Sequence, residues 1–515
     1  MRPSFFLKAA RHAKKRGRQM NAQGVKKVVI AGGGTAGWCA AAALSRLLGP
    51  VLDITLIESA DIGIIGVGEA TIPTVRAFHH LISVDEQAFM RETDATFKLG
   101  IAFENWAREG DQYFHSFGTI GKSPWMGHFY NIWLEGRSRG IGGSLDDYSL
   151  ETKAAKAGKF QIHKNLPINY AYHFDAVMYG KYLRKLSEAG GVKRHEGEIK
   201  SVQQQAETGF ITSVTLASGD VIPGDLFIDC TGFRGLLIEE TLHTGYEDWT
   251  HWLRTDRAVA VQTQPAGPPL PYTKSIAHAD GWRWRIPLQS RVGNGLIYSS
   301  AHLSDEDAQA RLMASLDAPA INTPRLIKYR TGRRKQIWNK NCVAVGLASG
   351  FIEPLESTSI HLFQKSVLDL VQNFPFFGIN DTLVAHYNRL AQQEIEYARD
   401  FVILHYKLME RSDSAFWREN ASMDVPDSLK ERIELFRESG VAYQGPGELF
   451  RTDSWAQVML GQRLEPKGWH RLGALMNEDE LKQVFAGLKS TIDDTVAKML
   501  PQDAFLKQYC PTAIV

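Results

Sequence analysis

The sequence contains little cysteine. Only four cysteines occur in 515 residues, and their spacing matches neither a zinc-binding pattern nor the paired pattern of a disulfide framework. We therefore expect free thiols, a reducing cytoplasmic location and no metal site. The four positions are Cys39, Cys230, Cys342 and Cys510.

Long apolar runs and a charge excess are also missing. No run approaches the ~20 apolar residues that a membrane-spanning helix requires, so we expect a soluble protein without a membrane partner. Lysine and arginine together number 59 and aspartate and glutamate 57, and this balance creates no overall field that would attract nucleic acid. The length predicts roughly two to four domains with a large core.

Residues 1–25 form a basic leader that contains no acidic residue. A nucleic-acid-binding arm or a membrane-surface arm would need such charge. A signal peptide would need a longer apolar core than residues 4–7 supply. We favour a disordered extension, because the run lacks interleaved aromatics and a second basic patch. Met20 is an alternative start.

The stretch 28–38 predicts a buried strand, a glycine turn and the beginning of a helix. Gly32, Gly34 and Gly37 have the G-x-G-x-x-G spacing, which permits a tight turn and close approach of the backbone to a pyrophosphate. The N–H groups and the positive dipole end of the helix would then face the phosphates. A glycine turn can also be merely structural, so the neighbouring sequence has to decide.

A second predicted strand, 53–58, supplies that context. It ends in Glu58, 21 positions after Gly37, where an acid suits a ribose hydroxyl and favours FAD or NAD over NADP. A later apolar strand at 225–232 closes on Thr-Gly and makes FAD the better choice, since such strands return to the FAD-binding sheet in two-dinucleotide-fold flavoproteins. The glycine-rich loop 66–73 carries Glu69 and fits either an ordinary turn or cofactor contact.

Residues 85–106 look helical and place Lys98 beside Phe97, Ile101 and Trp106. Most lysines in such surroundings carry the ammonium group out to solvent. A lysine that stays buried has a lowered pKa and can act as a catalytic amine. Both readings remain open.

Two later stretches carry residues that could belong to a binding site, one in a predicted strand and one in a loop before a helix. Alternation over 281–287 places Trp282, Trp284 and Ile286 on one face of a strand, which fits plain sheet packing. The loop 350–360 opens a helix whose first N–H groups could bind an anion or a flavin ring, and it presents Glu356 beside them. Aromatic residues over 113–118 suit either a planar substrate or the core.

Several of these stretches together resemble one family, the flavin-dependent tryptophan halogenases. The resemblance runs from about residue 26 to 406, and the Trp-x-Trp-x-Ile-Pro motif is specific. The matching motifs are Gly-Gly-Gly-Thr-Ala-Gly-Trp at 32–38, Gly-Val-Gly-Glu-Ala-Thr-Ile-Pro at 66–73, Phe-Lys at 97–98, His-Phe-Asp-Ala at 173–176, Trp-x-Trp-x-Ile-Pro at 282–287 and Glu-Pro-Leu-Glu-Ser-Thr at 353–358.

The resemblance implies the fold and the partners. The fold would be α/β (α+β), with an FAD-binding dinucleotide fold of the flavin monooxygenase type, an interleaved β-sheet substrate region and a helical C-terminal part. We expect a core with the substrate region over 26–380 and helices over 381–515. A separate flavin reductase would supply FADH₂, and analogy suggests a homodimer.

The resemblance also implies a reaction. Reduced flavin, O₂ and chloride or bromide would give hypohalous acid, which travels through a tunnel to an aromatic substrate. Lys98 is similar to the lysine that holds the hypohalous acid or forms a haloamine, and Glu356 matches the carboxylate beside it. A donor polarises the halogen, and a carboxylate steadies the cationic ring and helps to take its proton. A buried lysine and glutamate would keep each other ionised.

The remaining site residues follow by motif position. Thr358 and Ser359 resemble the halide site, and His115 and Phe117 match the aromatic sandwich around an indole. The tunnel wall would contain Trp282, Trp284, Ile286 and Pro287. The expected FAD contacts are Gly32, Gly33, Gly34, Thr35, Ala36, Gly37, Glu58, Ser59, Glu69, Ala70, Ile199, Leu347 and Ile360.

Two departures from the family pattern concern the substrate. Ser359 stands where tryptophan-specific members usually have glycine, and the tyrosine-rich lid that clamps free tryptophan is not recognisable between Pro446 and Gly461. We therefore expect an indole-like or other electron-rich aromatic substrate rather than free tryptophan. The alternatives are a flavin-dependent aromatic monooxygenase and a non-catalytic flavin-binding protein.

Overall fold

A computed structural model of the chain describes residues 24–59, 68–164 and 166–510. The predicted leader lies outside the described residues except for its last two positions. The first two residues of the glycine-rich loop 66–73 lie outside them as well. All four cysteines are free thiols, as predicted.

The described residues form a mixed fold of strands and helices. The strands are β1 (Lys27–Ala31), β2 (Asp53–Glu58), β3 (Gly68–Ala70), β4 (Thr96–Lys98), β5 (Gly100–Glu104), β6 (Gln112–Ser116), β7 (Ala171–Asp175), β8 (Lys193–Glu196), β9 (Ile199–Gln204), β10 (Ile211–Leu216), β11 (Val221–Pro223), β12 (Leu226–Asp229), β13 (Tyr246–Asp248), β14 (Arg257–Thr263), β15 (Thr273–His278), β16 (Gly281–Pro287), β17 (Val292–Tyr298), β18 (Arg325–Lys328), β19 (Gly332–Arg334), β20 (Trp338–Asn339), β21 (Cys342–Ala344) and β22 (Gly350–Phe351).

The helices are concentrated in the second half of the chain. They are α1 (Thr35–Leu47), α2 (Thr74–Leu81), α3 (Glu86–Glu92), α4 (Phe129–Ser138), α5 (Leu150–Lys156), α6 (Ala176–Ala189), α7 (Asp305–Ala314), α8 (Ser359–Gln372), α9 (Asp381–Leu408), α10 (Ala415–Ser422), α11 (Asp427–Ser439), α12 (Thr452–Gly461), α13 (Glu478–Lys498) and α14 (Gln502–Tyr509). Short 3₁₀ helices cover Gly49–Val51, Leu145–Tyr148, Gly232–Arg234, Gly346–Ala348, Pro354–Glu356 and Arg471–Leu475, and Leu236–Thr241 forms a π-helix.

A six-stranded sheet holds the glycine turn at its centre. Its order is β20-β21-β12-β1-β2-β8, and the pairs from β21 to β8 are parallel. The turn after β1 therefore lies at the carboxyl edge of the sheet, where ligands of such sheets bind. The apolar strand predicted at 225–232 is β12, and it pairs with β1 as expected of a returning strand.

A seven-stranded sheet, β18-β14-β17-β16-β15-β5-β6, forms the second layer. Its strands are antiparallel except for the pair β15 and β5. On β16 the burial alternates as predicted, with Trp282, Trp284 and Ile286 buried and the two arginines between them partly exposed. The small sheet β3-β7-β4 lies beside it and carries Lys98.

The helix predicted over 85–106 is wrong for most of its length. Only α3 is helical, because Asp94 adopts a left-handed backbone conformation at φ 56° and turns the chain. The segment then enters β4, where Lys98 pairs with Ala171 of β7. Pairing with a distant strand overrides local helix propensity here.

The C-terminal helices pack on both layers. In α9, Tyr387 and Ala391 join the core under the six-stranded sheet, whereas Ile395 and Phe401 join the core under the seven-stranded sheet. The boundary at residues 380 and 381 stays a prediction. Within the described ranges, no helix is long and apolar enough to cross a membrane.

Candidate functional site

A cavity of about 950 Å³ opens at the carboxyl edge of the six-stranded sheet. Its volume is at the upper end of the range for small-molecule sites. Every cofactor residue predicted from the sequence except Gly37 lines it. These residues are Gly32, Gly33, Gly34, Thr35, Ala36, Glu58, Ser59, Glu69, Ala70, Ile199, Leu347 and Ile360.

The glycine turn is too tight for side chains. Gly32 has φ +110°, and a Cβ on Gly37 would lie 1.9 Å from the Gly32 carbonyl oxygen. A Cβ on Gly33 would lie 1.8 Å from Glu58 Oε2. The Gly34 cap of α1 offers no side-chain acceptor, so the first N–H groups of the helix remain available to an anion. The turn fits a dinucleotide pyrophosphate.

Glu58 has partners that the sequence did not reveal. Its carboxylate accepts hydrogen bonds from Trp38 Nε1 at 3.2 Å and Arg184 at 3.5 Å, and from Arg194 Nε. All three side chains line the cavity. The two arginines and the Trp38 indole keep the carboxylate in place beside the predicted ribose position. Elsewhere on the lining, burial raises the pKa of Glu69 to about 7.

Trp282, Trp284 and Ile286 form the far wall of the cavity. The Trp282 indole donates to Glu353 Oε1 at 3.1 Å. Trp284 covers Gly295 on the neighbouring strand, where a Cβ would lie 1.9 Å from its ring. Pro287 is not part of the lining, and its carbonyl accepts from Thr96 Oγ1 at 2.7 Å.

Lys98 is completely buried on β4. Its Nζ donates to Ser357 Oγ at 2.8 Å and lies 5.1 Å from the centre of the Phe117 ring. Burial lowers the pKa of Lys98 to about 7, although Glu356 opposes the shift. Ser357 lines the cavity whereas Lys98 does not, so the amine lies behind the cavity lining and contacts it at Ser357.

Glu356 lies between two imidazoles. Its Oε2 is 2.8 Å from His115 Nδ1, and its Oε1 is 2.7 Å from His405 Nε2. Burial acts to raise the pKa of Glu356, but His115 and His405 outweigh burial and lower it to about 2. Lys98 and Glu356 form no direct ion pair in the part of the chain that the structure describes. Glu356 nevertheless acts to raise the pKa of Lys98, and the expectation that each keeps the other ionised stays a prediction.

Thr358 and Ser359 begin α8. The Thr358 hydroxyl is buried and has no hydrogen-bond partner among the residues that the structure describes, and Ser359 lines the cavity. Thr358 does not cap the helix with its side chain. A helix start with an unpaired hydroxyl fits the predicted halide position.

The predicted aromatic sandwich lies next to Lys98. Phe117 is buried, and the His115 ring lies 5.4 Å from Phe401 and 6.1 Å from Phe450. Arg451 donates hydrogen bonds to the backbone carbonyl oxygens of Phe117 and Gly118. The segment after it is the helix α12, where the family's tyrosine-rich lid was not recognised in the sequence.

Sequence reasoning missed Ser357, His405 and Tyr113. Ser357 stands inside the quoted motif 353–358, so its hydroxyl could have been noticed. His405 lies on α9, and Tyr113 on β6 contacts its Nδ1 at 2.7 Å. Nothing in the sequence pairs these two side chains with Glu356.

A glycine-lined dinucleotide cavity beside a buried lysine and carboxylate defines a cofactor-dependent enzyme with a separate reaction site. The tryptophan halogenase family model matches residues 27–478, and the chain belongs to this family. Tryptophan 7-halogenase RebH of Lentzea aerocolonigenes is 36% identical over 446 residues, which cover 82% of this chain and 83% of that protein.

Solved structures agree with this assignment. A flavin-dependent halogenase from Xanthomonas campestris is 50% identical, with a TM-score of 0.94 and coverage of 95% of this chain and 99% of that one. A flavin-dependent halogenase from Brevundimonas sp. BAL3 is 41% identical, with a TM-score of 0.91 and the same coverage. The predicted family, fold class and enzyme class are confirmed, and this chain is a flavin-dependent halogenase.

Proposed function

We propose that the chain halogenates an electron-rich aromatic ring at Lys98, using FADH₂ from a separate flavin reductase, O₂, and chloride or bromide. The observation that carries the proposal is the position of the amine. Lys98 is buried, its Nζ contacts Ser357 at 2.8 Å, and Ser357 lines the cavity in which the cofactor would lie. A small oxidant formed in the cavity can thus reach the amine while the organic substrate stays outside.

Lys98 and Glu356 divide the chemistry. The Lys98 ammonium donates a hydrogen bond to the oxygen of hypohalous acid, which makes the halogen electrophilic. The aromatic carbon attacks the halogen, the O–halogen bond breaks, and the oxygen leaves as water with a proton from Lys98. Glu356 stabilises the cationic ring and accepts the ring proton, which restores aromaticity.

The tryptophan wall separates the two reactants. Trp282, Trp284 and Ile286 are buried in β16 and line the cavity. A bulky substrate held on the Lys98 side would be kept from the flavin, which disfavours direct hydroxylation. This distinguishes the proposal from an aromatic monooxygenase, which would need direct contact and would not need Lys98.

The substrate we propose is an indole-like ring that is not free tryptophan, such as a simple indole, a phenol or an indole within a larger molecule. The guanidinium of Arg451 is already engaged by two backbone carbonyls. Phe450 stacks on Phe401 at 3.7 Å. Phe450 has no donor for the carboxylate of an amino acid, and Arg451 directs Nη2 to the backbone of the aromatic sandwich.

The test is the product formed by purified protein with FAD, a generic reductase, NADH, O₂, a halide and a panel of indoles and phenols that includes free tryptophan. We expect halogen isotope patterns in products from the indoles and little or no product from free tryptophan. Preferred turnover of tryptophan would contradict the substrate proposal, and hydroxylated product without halogen would contradict the function.

The proposal includes a homodimer and a cytoplasmic location, both by analogy with the family. Light scattering of the purified chain measures its mass in solution, and cell fractionation measures its location. A monomer, or recovery outside the cytoplasmic fraction, would contradict these two parts and leave the reaction unaffected.

A further inference from the structure

A second histidine, His405, contacts the proposed base Glu356 at the carboxylate oxygen that His115 does not contact. His405 is completely buried near the end of α9. Its Nε2 lies 2.7 Å from Glu356 Oε1, and its Nδ1 lies 2.7 Å from the Tyr113 hydroxyl. Tyr113, His405 and Glu356 thus lie in close polar contact inside an apolar core, although the Nε2–Oε1 contact lacks hydrogen-bond geometry among the described residues.

The protonation of these side chains follows from their surroundings. Burial raises the pKa of Tyr113 well above its ordinary value, so the phenol keeps its proton. Burial lowers the pKa of His405, although Glu356 opposes the shift, so the ring is neutral and carries one proton. The phenol therefore donates to Nδ1, which leaves the ring proton on Nε2, the nitrogen that lies 2.7 Å from Glu356 Oε1.

The ring of His405 is also fixed in orientation. It stacks on Phe103 at 4.6 Å with an interplanar angle of 18°, and Phe103 stacks on Tyr113 at 4.7 Å with an angle of 3°. Gln462 donates to the His405 backbone carbonyl at 2.8 Å. A locked ring with one defined N–H is the arrangement that orients a carboxylate.

We propose that His405, with its ring proton placed by Tyr113, is a positioning residue that fixes the Glu356 carboxylate for proton removal from the substrate. The titratable groups facing Glu356 are His115, His405, Lys98 and Tyr113. Each carboxylate oxygen has its own imidazole, so loss of one leaves that oxygen free to rotate and to take a proton from solvent. The inference rests on the proposed role of Glu356.

The first test needs neither flavin nor substrate. Infrared difference spectra over a pH series report the Glu356 carboxyl, identified by the band that Glu356→Gln removes. We expect His405→Leu to raise the pH at which this carboxyl protonates by roughly 1–2 units, since the charged carboxylate loses a polar group 2.7 Å away and gains an apolar neighbour. Tyr113→Phe should give a smaller shift, and His405→Gln, which keeps an N–H donor, should restore part of the wild-type value.

A matched control uses a buried tyrosine away from the site. The Tyr387 hydroxyl contacts Ser366 Oγ at 2.6 Å inside the other core, so Tyr387→Phe should leave the Glu356 titration unchanged. Far-ultraviolet and near-ultraviolet circular dichroism check that each variant is folded. An unchanged titration in folded His405→Leu, or an equal shift in Tyr387→Phe, would overturn the proposal.

A second readout separates positioning from structure. In His405→Gln and Tyr113→Phe we expect kcat for halogenation to fall about tenfold with little change in KM, while hypohalous acid formation persists. A fall in flavin binding with no change in the carboxyl titration would instead show a structural role. If wild type halogenates nothing, the proposed function fails, and the infrared titration still decides the part played by His405.

Discussion

The cofactor cavity and the Lys98 site are built in opposite ways. The cavity is open, and its cradle comes from one short stretch, the turn between β1 and α1, completed by Glu58 at the end of β2. The Lys98 site is closed and is assembled from distant segments: Lys98 contacts a residue 259 positions away, and His115 contacts one 241 positions away. Backbone N–H groups dominate the first site and buried charges the second.

In the reaction that we propose, this difference matches two separate tasks. A cofactor that enters and leaves needs an accessible binding site. Glycine backbone N–H groups provide one without requiring particular side chains. Control of a reactive halogen needs a dry site, because buried donors and charges act more strongly without competing water. Ser357 is the point at which the two sites meet.

The largest effect expected on the cofactor side comes from a substitution in the glycine turn. Gly37→Ala places a Cβ 1.9 Å from the Gly32 carbonyl oxygen, which must open the turn. We expect the dissociation constant for FAD to rise about 100-fold, equivalent to roughly 2.7 kcal/mol, as measured by flavin fluorescence. Gly487→Ala, on α13 with open space around it, is the control, and wild-type FAD affinity in Gly37→Ala would contradict the account.

The next prediction uses the pKa of Lys98, which burial lowers to about 7. If the ammonium form is the donor, the single-turnover rate of halogenation is constant below pH 7 and falls about tenfold per pH unit above it. In Lys98→Arg this decline should disappear even though the rate is lower, because arginine stays charged. A rate that rises through pH 7 would indicate attack by the neutral amine instead.

A third prediction concerns stability and sharpens the contrast between the sites. The unfolded state keeps a proton on Lys98 up to its ordinary pKa of 10.5, whereas the folded state releases it near pH 7. The burial penalty is thus fully present below pH 7 and fades as the pH rises towards 10.5. We expect Lys98→Met to raise the free energy of unfolding by about 2 kcal/mol at pH 6 and by less at pH 9.

Denaturant unfolding at the two pH values measures this difference. The exposed Lys185, whose side chain is 70% accessible, provides the control, and Lys185→Met should change the free energy of unfolding by less than ~0.5 kcal/mol. If Lys98→Met lowers the free energy of unfolding at both pH values, the buried amine stabilises the folded state, which would contradict this prediction.

The smallest expected effect tests the wall between the sites. Gly295→Ala puts a Cβ 1.9 Å from the Trp284 ring and so displaces the indole without removing it. We expect halogenation to fall about fivefold through local overpacking, with FAD binding unchanged. Product yield per flavin oxidised measures the effect, and an unchanged yield would show that the position of Trp284 is unimportant.

Local patterns on the cofactor side name residues that the structure brings together. The glycine spacing, the acid at the end of β2 and the alternation on β16 each depend on residues close in sequence, and apart from Gly37 these residues line one cavity. Gly37 does not line the cavity. It packs closely against the Gly32 carbonyl oxygen, and the third glycine of the spacing has this packing role between helix and strand.

For the Lys98 site, the sequence predicted which residues take part but not how they contact one another. The helical pattern over 85–106 hid a strand, because β7, about 75 positions later, supplies its partner. The two imidazoles at Glu356 come from β6 and α9, and the Tyr113 hydroxyl contacts the other ring nitrogen of His405. Such contacts arise from tertiary packing and leave no local periodicity.

The most direct test of the division between the sites is the fate of hypohalous acid in Lys98→Met. Purified protein is supplied with FAD, reductase, NADH, O₂, bromide, an indole and a soluble halogen-accepting trap, and both products are measured by mass. The account predicts that the variant still oxidises flavin and halogenates the trap, while the enzyme-directed indole product falls by roughly 1,000-fold. Full indole product in the variant, or loss of trap product together with it, would contradict the claim that the cavity makes the oxidant and Lys98 uses it.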